Sequence, residues 1–133
     1  MSIFHKCYLR NIYLAVRRVW YRQLSTCKRV EGEFHLLQAG LMNGNGRIIG
    51  HGAHIGYYPS DGLYNSTFYL EARNADAVIE LGRSYYNNGF CAIAENGRIT
   101  IGDDCLIGTR VCILNSDFHS SSIARRHAGG GGQ

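Results

Sequence analysis

The sequence predicts an all-β fold, a left-handed parallel β-helix of hexapeptide repeats with an N-terminal amphipathic α-helix, and three observations lead there. The first is repetition: Ile101-Gly102, Ile107-Gly108 and Ile113-Leu114 recur at a step of six, and periodicity of this kind outranks local propensity in deciding a fold. The second is a set of 17 glycines with no collagen triplet, which asks for many tight backbone corners. The third is that helical spacing is confined to the first thirty or so residues, after which short apolar runs alternate with glycine and asparagine. A chain of 133 residues is expected to form one core.

Residues 1–30 form the helical segment. Over 8–24, Ile12, Val16, Val19, Trp20 and Leu24 follow steps of three and four, with Arg17, Arg18 and Arg22 on the remaining surface. This stripe is expected to dock against the rest of the fold, the helix capping one end of it. Peripheral membrane contact is the other reading, because arginine beside tryptophan suits an interface. Residues 31–127 form the β-helix. Each hexad supplies a short strand with its isoleucine inward and a corner after it, and stacked turns bury a common apolar column. The same register places Ile93 and Ile99 in earlier hexads, and IELG at 79–82 is echoed by ITIG at 99–102. Gly44-Asn45-Gly46 and Asn87-Asn88-Gly89 read as turns. Asn45-Gly46 alone would suit a hairpin, so an antiparallel sandwich is the competing fold. Residues 128–133 read as a flexible Gly-rich tail.

The formal charge of +4 is local, carried by Arg10, Arg17, Arg18, Arg22, Lys28 and Arg29 near one end and Arg125 and Arg126 near the other. A solvated helix face explains it, as would an anionic partner. No nucleic-acid-binding motif accompanies it, so no nucleic-acid partner is expected. Arginines interrupt every apolar run before the length of a signal or membrane span, which points to the cytoplasm. The five cysteines are odd in number and form no Cys-x-x-Cys pair; reduced, mostly buried thiols are expected.

The run IGDDCLIGTRVCILNSDFHSSSIARR resembles the central stretch of the hexapeptide-repeat acyltransferases that O-acetylate bacterial sugars and polysaccharides, with the likeness covering residues 77–127. In that family an Asp-Phe-His sequence ends the segment and its histidine is the catalytic base. The resemblance therefore implies His119 as base, preceded by Asp117 and Phe118. It also implies acetyl-coenzyme A as co-substrate, a homotrimer with sites between neighbouring chains, and an acceptor that is a polysaccharide, lipopolysaccharide or sugar precursor. Such an enzyme could sit at the periphery of the inner membrane. The chemistry agrees, since a sugar hydroxyl attacking a thioester needs a base of histidine's range. Asp117 is expected to orient the imidazole or bind the acceptor, or to serve as a turn residue. Asn88 is expected either to line the sugar-binding face or simply to make a turn. His51 and His54, in GHGAHIG, raise a rival, the shared zinc site of carbonic-anhydrase-like members; they lack a further histidine at neighbouring positions, and no metal is expected. The chain departs from the family in carrying Ser120 where proline is usual, and in stopping at AGGGGQ where the family continues. The alternative reading is thus a truncated, non-catalytic remnant or assembly module, whose open strand edges would favour association.

Overall fold

A computed structural model describes residues 2–118 of the chain. It opens with helix α1 (Ile3–Leu24), longer at its start than the apolar spacing indicates because Ser2 caps it, its hydroxyl accepting from the His5 amide at 3.4 Å. Ten strands follow: β1 (Arg29–Leu36), β2 (Gly40–Asn43), β3 (Arg47–Ile55), β4 (Phe68–Ala72), β5 (Val78–Leu81), β6 (Tyr85–Tyr86), β7 (Cys91–Ala94), β8 (Arg98–Ile101), β9 (Leu106–Ile107) and β10 (Cys112–Leu114). They form a six-stranded sheet in the order β8-β5-β3-β6-β9, with β1 also on β3, and a four-stranded sheet in the order β10-β7-β4-β2. Every pairing described is parallel.

The expected all-β left-handed β-helix is corrected by this arrangement. The molecule is mixed α/β, one helix against parallel sheets that close as a half-barrel. Strand β3 shows the physical reason: its nine residues pair with β5 through Arg47–Gly50 and with β6 through His54 and Ile55. One sheet therefore continues where separate six-residue sides were expected. Gly52 permits the bend, with φ of +83° and no Cα partner in the register to β1, which passes from Glu33↔His51 to Phe34↔Ala53. The hairpin alternative fails as well. Asn45-Gly46 joins β2 and β3, which lie in different sheets, and the Asn45 and Gly46 amides bond to Arg73 and Ala72 of a later passage instead.

Side chains alternate along the strands, and the inward set makes one core: Ile48, Ile55, Phe68, Leu70, Ile79, Leu81, Tyr86 and Phe90 are all buried. Each such aliphatic side chain contributes about 1.5–3 kcal/mol on burial. Ile101, Ile107 and Ile113, the residues of the clearest hexads, are only partly buried and pack on the rim of that core. Three buried polar side chains bind successive passages of chain to each other. Gln38 donates to the Gly62 carbonyl and accepts from the Gly89 amide; Ser84 donates to the Gly102 carbonyl and accepts from the Cys105 amide; Asn88 is described below.

Helix α1 also docks the other way round from the expectation. Leu14 is its buried side chain, and the helix lies along β2. Arg17 donates to the Tyr64 carbonyl at 2.7 Å and Arg18 to that of Leu37 at 2.9 Å. Arg10 sits 4.2 Å over the Tyr58 ring. The arginines thus face the protein, while Ile12, Val16, Val19, Trp20 and Leu24 face outward. The thiols differ too: Cys7 and Cys112 are exposed, Cys27, Cys91 and Cys105 half-buried, and all five are free.

Candidate functional site

Alternation sends Leu41 and Asn43 of β2, Tyr69 and Glu71 of β4, Cys91 and Ile93 of β7, and Cys112 and Leu114 of β10 to the outer face of the four-stranded sheet. Parallel register turns them into two rows, Leu41-Tyr69-Cys91-Cys112 and Asn43-Glu71-Ile93-Leu114. At the end of the rows lies the segment 115–118, directly before His119. His119 itself lies outside the described residues.

A polar network holds that segment. The Glu71 carboxylate accepts from Arg73 Nε at 2.7 Å and from the Tyr69 hydroxyl at 2.9 Å. The Arg73 guanidinium lies 4.5 Å over the Phe118 ring, a cation–π contact that pins the ring to the sheet. Ser116 donates to Glu95 and accepts from the Phe118 amide, while Asn115 accepts from the Glu95 amide and donates to the Asn96 carbonyl. Phe118 has φ of +59°, uncommon for a bulky residue, so the chain turns sharply there. Asp117 is exposed between these two anchors. Sequence reasoning did not place Tyr69, Glu71 or Arg73 at the site, although the alternation in FYLEAR would have put them on one face.

The electrostatics of the cluster follow from its contacts. The Arg73 hydrogen bond holds the Glu71 carboxyl below its ordinary value, against the opposing effect of burial. Burial raises the Tyr69 phenol, and the Glu71 contact adds to the rise. Burial, reinforced by the neighbouring Cys112 thiol, pushes Cys91 up to about 12, so Cys91 is protonated at neutral pH. A folded-state pKa below the unfolded one means that Glu71 adds stability above the unfolded value and loses it as pH falls through the folded one. We therefore expect Glu71→Gln to lower the melting temperature at pH 7 and the difference from wild type to shrink toward nothing below about pH 4. Melting curves of both proteins between neutral and acid pH check this, and a difference that stays constant with pH would refute it.

Asn88 occupies the interior, not an accessible face. It is fully buried. Its Nδ2 donates to the carbonyls of Tyr57, Ser60 and Asp61 at 3.0, 3.2 and 3.1 Å, and its Oδ1 accepts from the Tyr57 amide at 3.0 Å. Both ends of the amide are spent on the loop 57–61. His51 bonds Glu80 at 2.7 Å, and His54 stacks between His35 and Tyr85 at ring separations of 4.5 and 4.7 Å. The two histidines of GHGAHIG are thus engaged separately. Among the described residues no three His, Cys, Asp or Glu side chains gather as a metal site would require.

No protein-family model matches this sequence, and no curated protein or solved structure matches it significantly.

Proposed function

We propose that the protein transfers an acetyl group from acetyl-coenzyme A to a hydroxyl of a surface polysaccharide or its sugar precursor, in the cytoplasm and as a homotrimer, with His119 as general base. The reading rests on the run Asp117-Phe118-His119, supported by one observation: the two residues before the histidine are anchored through Phe118 and Ser116 to the Glu71–Arg73 face. An anchored backbone restricts where the following imidazole can go, and positioning is most of what a general base requires. Asp117 orients that imidazole or receives the acceptor. His119 removes the hydroxyl proton as the oxygen bonds to the thioester carbonyl. The tetrahedral intermediate then expels the coenzyme thiolate, which takes the proton back from the imidazolium.

A second reading, a non-catalytic assembly module, draws on a different observation. Leu106 is 84% exposed, and among the described residues no strand pairs with the outer edges of β8, β9 and β10. Such edges favour association with another chain.

Calorimetric titration with acetyl-coenzyme A separates the two readings, run on wild type and His119→Ala with oligomeric state measured on the same samples. The transferase reading expects saturable binding in both proteins and, once an acceptor is found, turnover reduced about 10²–10⁴-fold in the variant. A folded wild type that binds no acetyl-coenzyme A leaves the assembly reading standing alone.

A further inference from the structure

Helix α1 presents an apolar face that nothing among the described residues covers. At 100° per residue, Leu9, Ile12, Val16, Val19 and Trp20 fall within an arc of about 100°, flanked by Tyr8 and Tyr13. Val16 and Val19 are each 62% exposed and Trp20 64%. The opposite face is the one spent on the protein, through Leu14, Arg17 and Arg18. Beside Val19 a cleft of about 720 Å³ opens between the helix and the first strands, walled by Val30, Phe34, Met42 and Phe68 with Arg22 on its lining.

Charge decides what belongs on this face. From Ser2 to Val30 there is no acidic residue, the first being Glu31, and although Arg10, Arg17 and Arg18 are turned to the protein, Lys6 and Arg22 are exposed cations at the borders of the outward face. A second copy would set two such helices against each other with no carboxylate on either to answer the cations. The occupant has to be apolar at its centre and anionic at its surface. No helix of the described residues is long and apolar enough to cross a membrane, so the helix would lie in the interface rather than span it.

We propose that α1 binds an anionic lipid bilayer by its outward face, with Leu9, Ile12, Val16, Val19 and Trp20 among the acyl chains and Lys6 and Arg22 against the headgroups. Aromatic side chains such as Tyr8, Tyr13 and Trp20 suit that depth. The cleft beside Val19 continues the apolar face inward and gives a lipid chain a place to enter. This inference is independent of acetyl transfer.

Trp20 is the chain's one tryptophan and reports on the face directly. Its fluorescence, together with cosedimentation, is followed as full-length protein meets vesicles of phosphatidylcholine alone or mixed with phosphatidylglycerol, at low and high salt. We expect a blue shift and cosedimentation with the anionic vesicles, weakened by salt, and at least about tenfold weaker binding in Val16→Glu/Val19→Glu. Both valines are exposed, so the variant is expected to keep the wild-type melting curve. Wild type showing neither blue shift nor cosedimentation would overturn the proposal, whatever the variant does. So would vesicle binding that the double variant retains in full, or a vesicle-free dimer that the same substitutions dissociate, which would make a second copy the occupant.

Discussion

Asn88→Ala is expected to cost about 3–5 kcal/mol, since each backbone group left buried without a partner costs roughly 1–3 kcal/mol. The wild-type side chain satisfies four such groups at once, the amide and carbonyl of Tyr57 and the carbonyls of Ser60 and Asp61. Alanine satisfies none of them and leaves a void where the Asn88 amide was buried. For a domain of this size the loss corresponds to a fall in melting temperature of about 12–20 °C. Asn88→Asp sharpens the test, because a carboxylate keeps an acceptor but offers no donor to the three carbonyls and adds a buried charge. Thermal and denaturant melts measure both. If Asn88→Ala melted within a few degrees of wild type, the network would contribute little and the loop 57–61 would have to be held by other contacts.

Gly44→Ala should be nearly as damaging for a different reason. A Cβ at this position would stand 1.9 Å from the Ala72 carbonyl oxygen, on backbone rather than on a movable side chain, and the residue has φ of +106°. The close approach exists because the turn between β2 and β3 rests on the end of β4, where the Gly46 amide donates to that same carbonyl at 2.9 Å. Left-handed strain and forced separation of the two passages together cost about 2–5 kcal/mol. Gly97→Ala separates the two contributions: its φ is +69°, but a Cβ there meets nothing within 4 Å. We expect it to cost about 1–2 kcal/mol, the strain alone. Equal losses at the two positions, measured by denaturant melts, would remove the steric part of the argument.

The parallel pairing was legible in the sequence, and the closure of the sheets was not. The echo between IELG and ITIG corresponds to a real register, with Ile79 beside Ile99 and Leu81 beside Ile101. Matching apolar positions in two passages is what parallel neighbours require, so repetition carries that information. The hexad rhythm, however, is clear only in the last strands, and extrapolating it backward hid the long β1 and β3 and led to the wrong fold class. The helix was recognised by its spacing but its orientation was misread. An apolar stripe is normally the docked face, and only the positions of the Tyr64 and Leu37 carbonyls show why the arginines are turned inward. At the site, Asp117 and its neighbours were visible as a motif. The partners Glu71 and Arg73 were not, because they are over forty residues away in sequence and meet the segment only through strand register. Asn88 beside glycine looked like a turn residue, and no local pattern reveals that its amide faces a distant loop.

Parallel register has one more consequence. Each inner strand rests on the passage before it and the passage after it: Tyr69 lies between Leu41 and Cys91, and Ile79 between Ile48 and Ile99. Cohesion is therefore a sum of nearest-neighbour terms along a line, as in repeat proteins. Strands β4, β5 and β7, bordered on both sides, are firmly held, whereas among the described residues β8, β9 and β10 are bordered on one. Opening of the chain under native conditions would then begin at that lightly held border and spread inward one passage at a time. The segment that carries Asp117 follows β10 directly and belongs to the first passage to loosen, so any contact it makes is set by the least firmly held part of the described sheet.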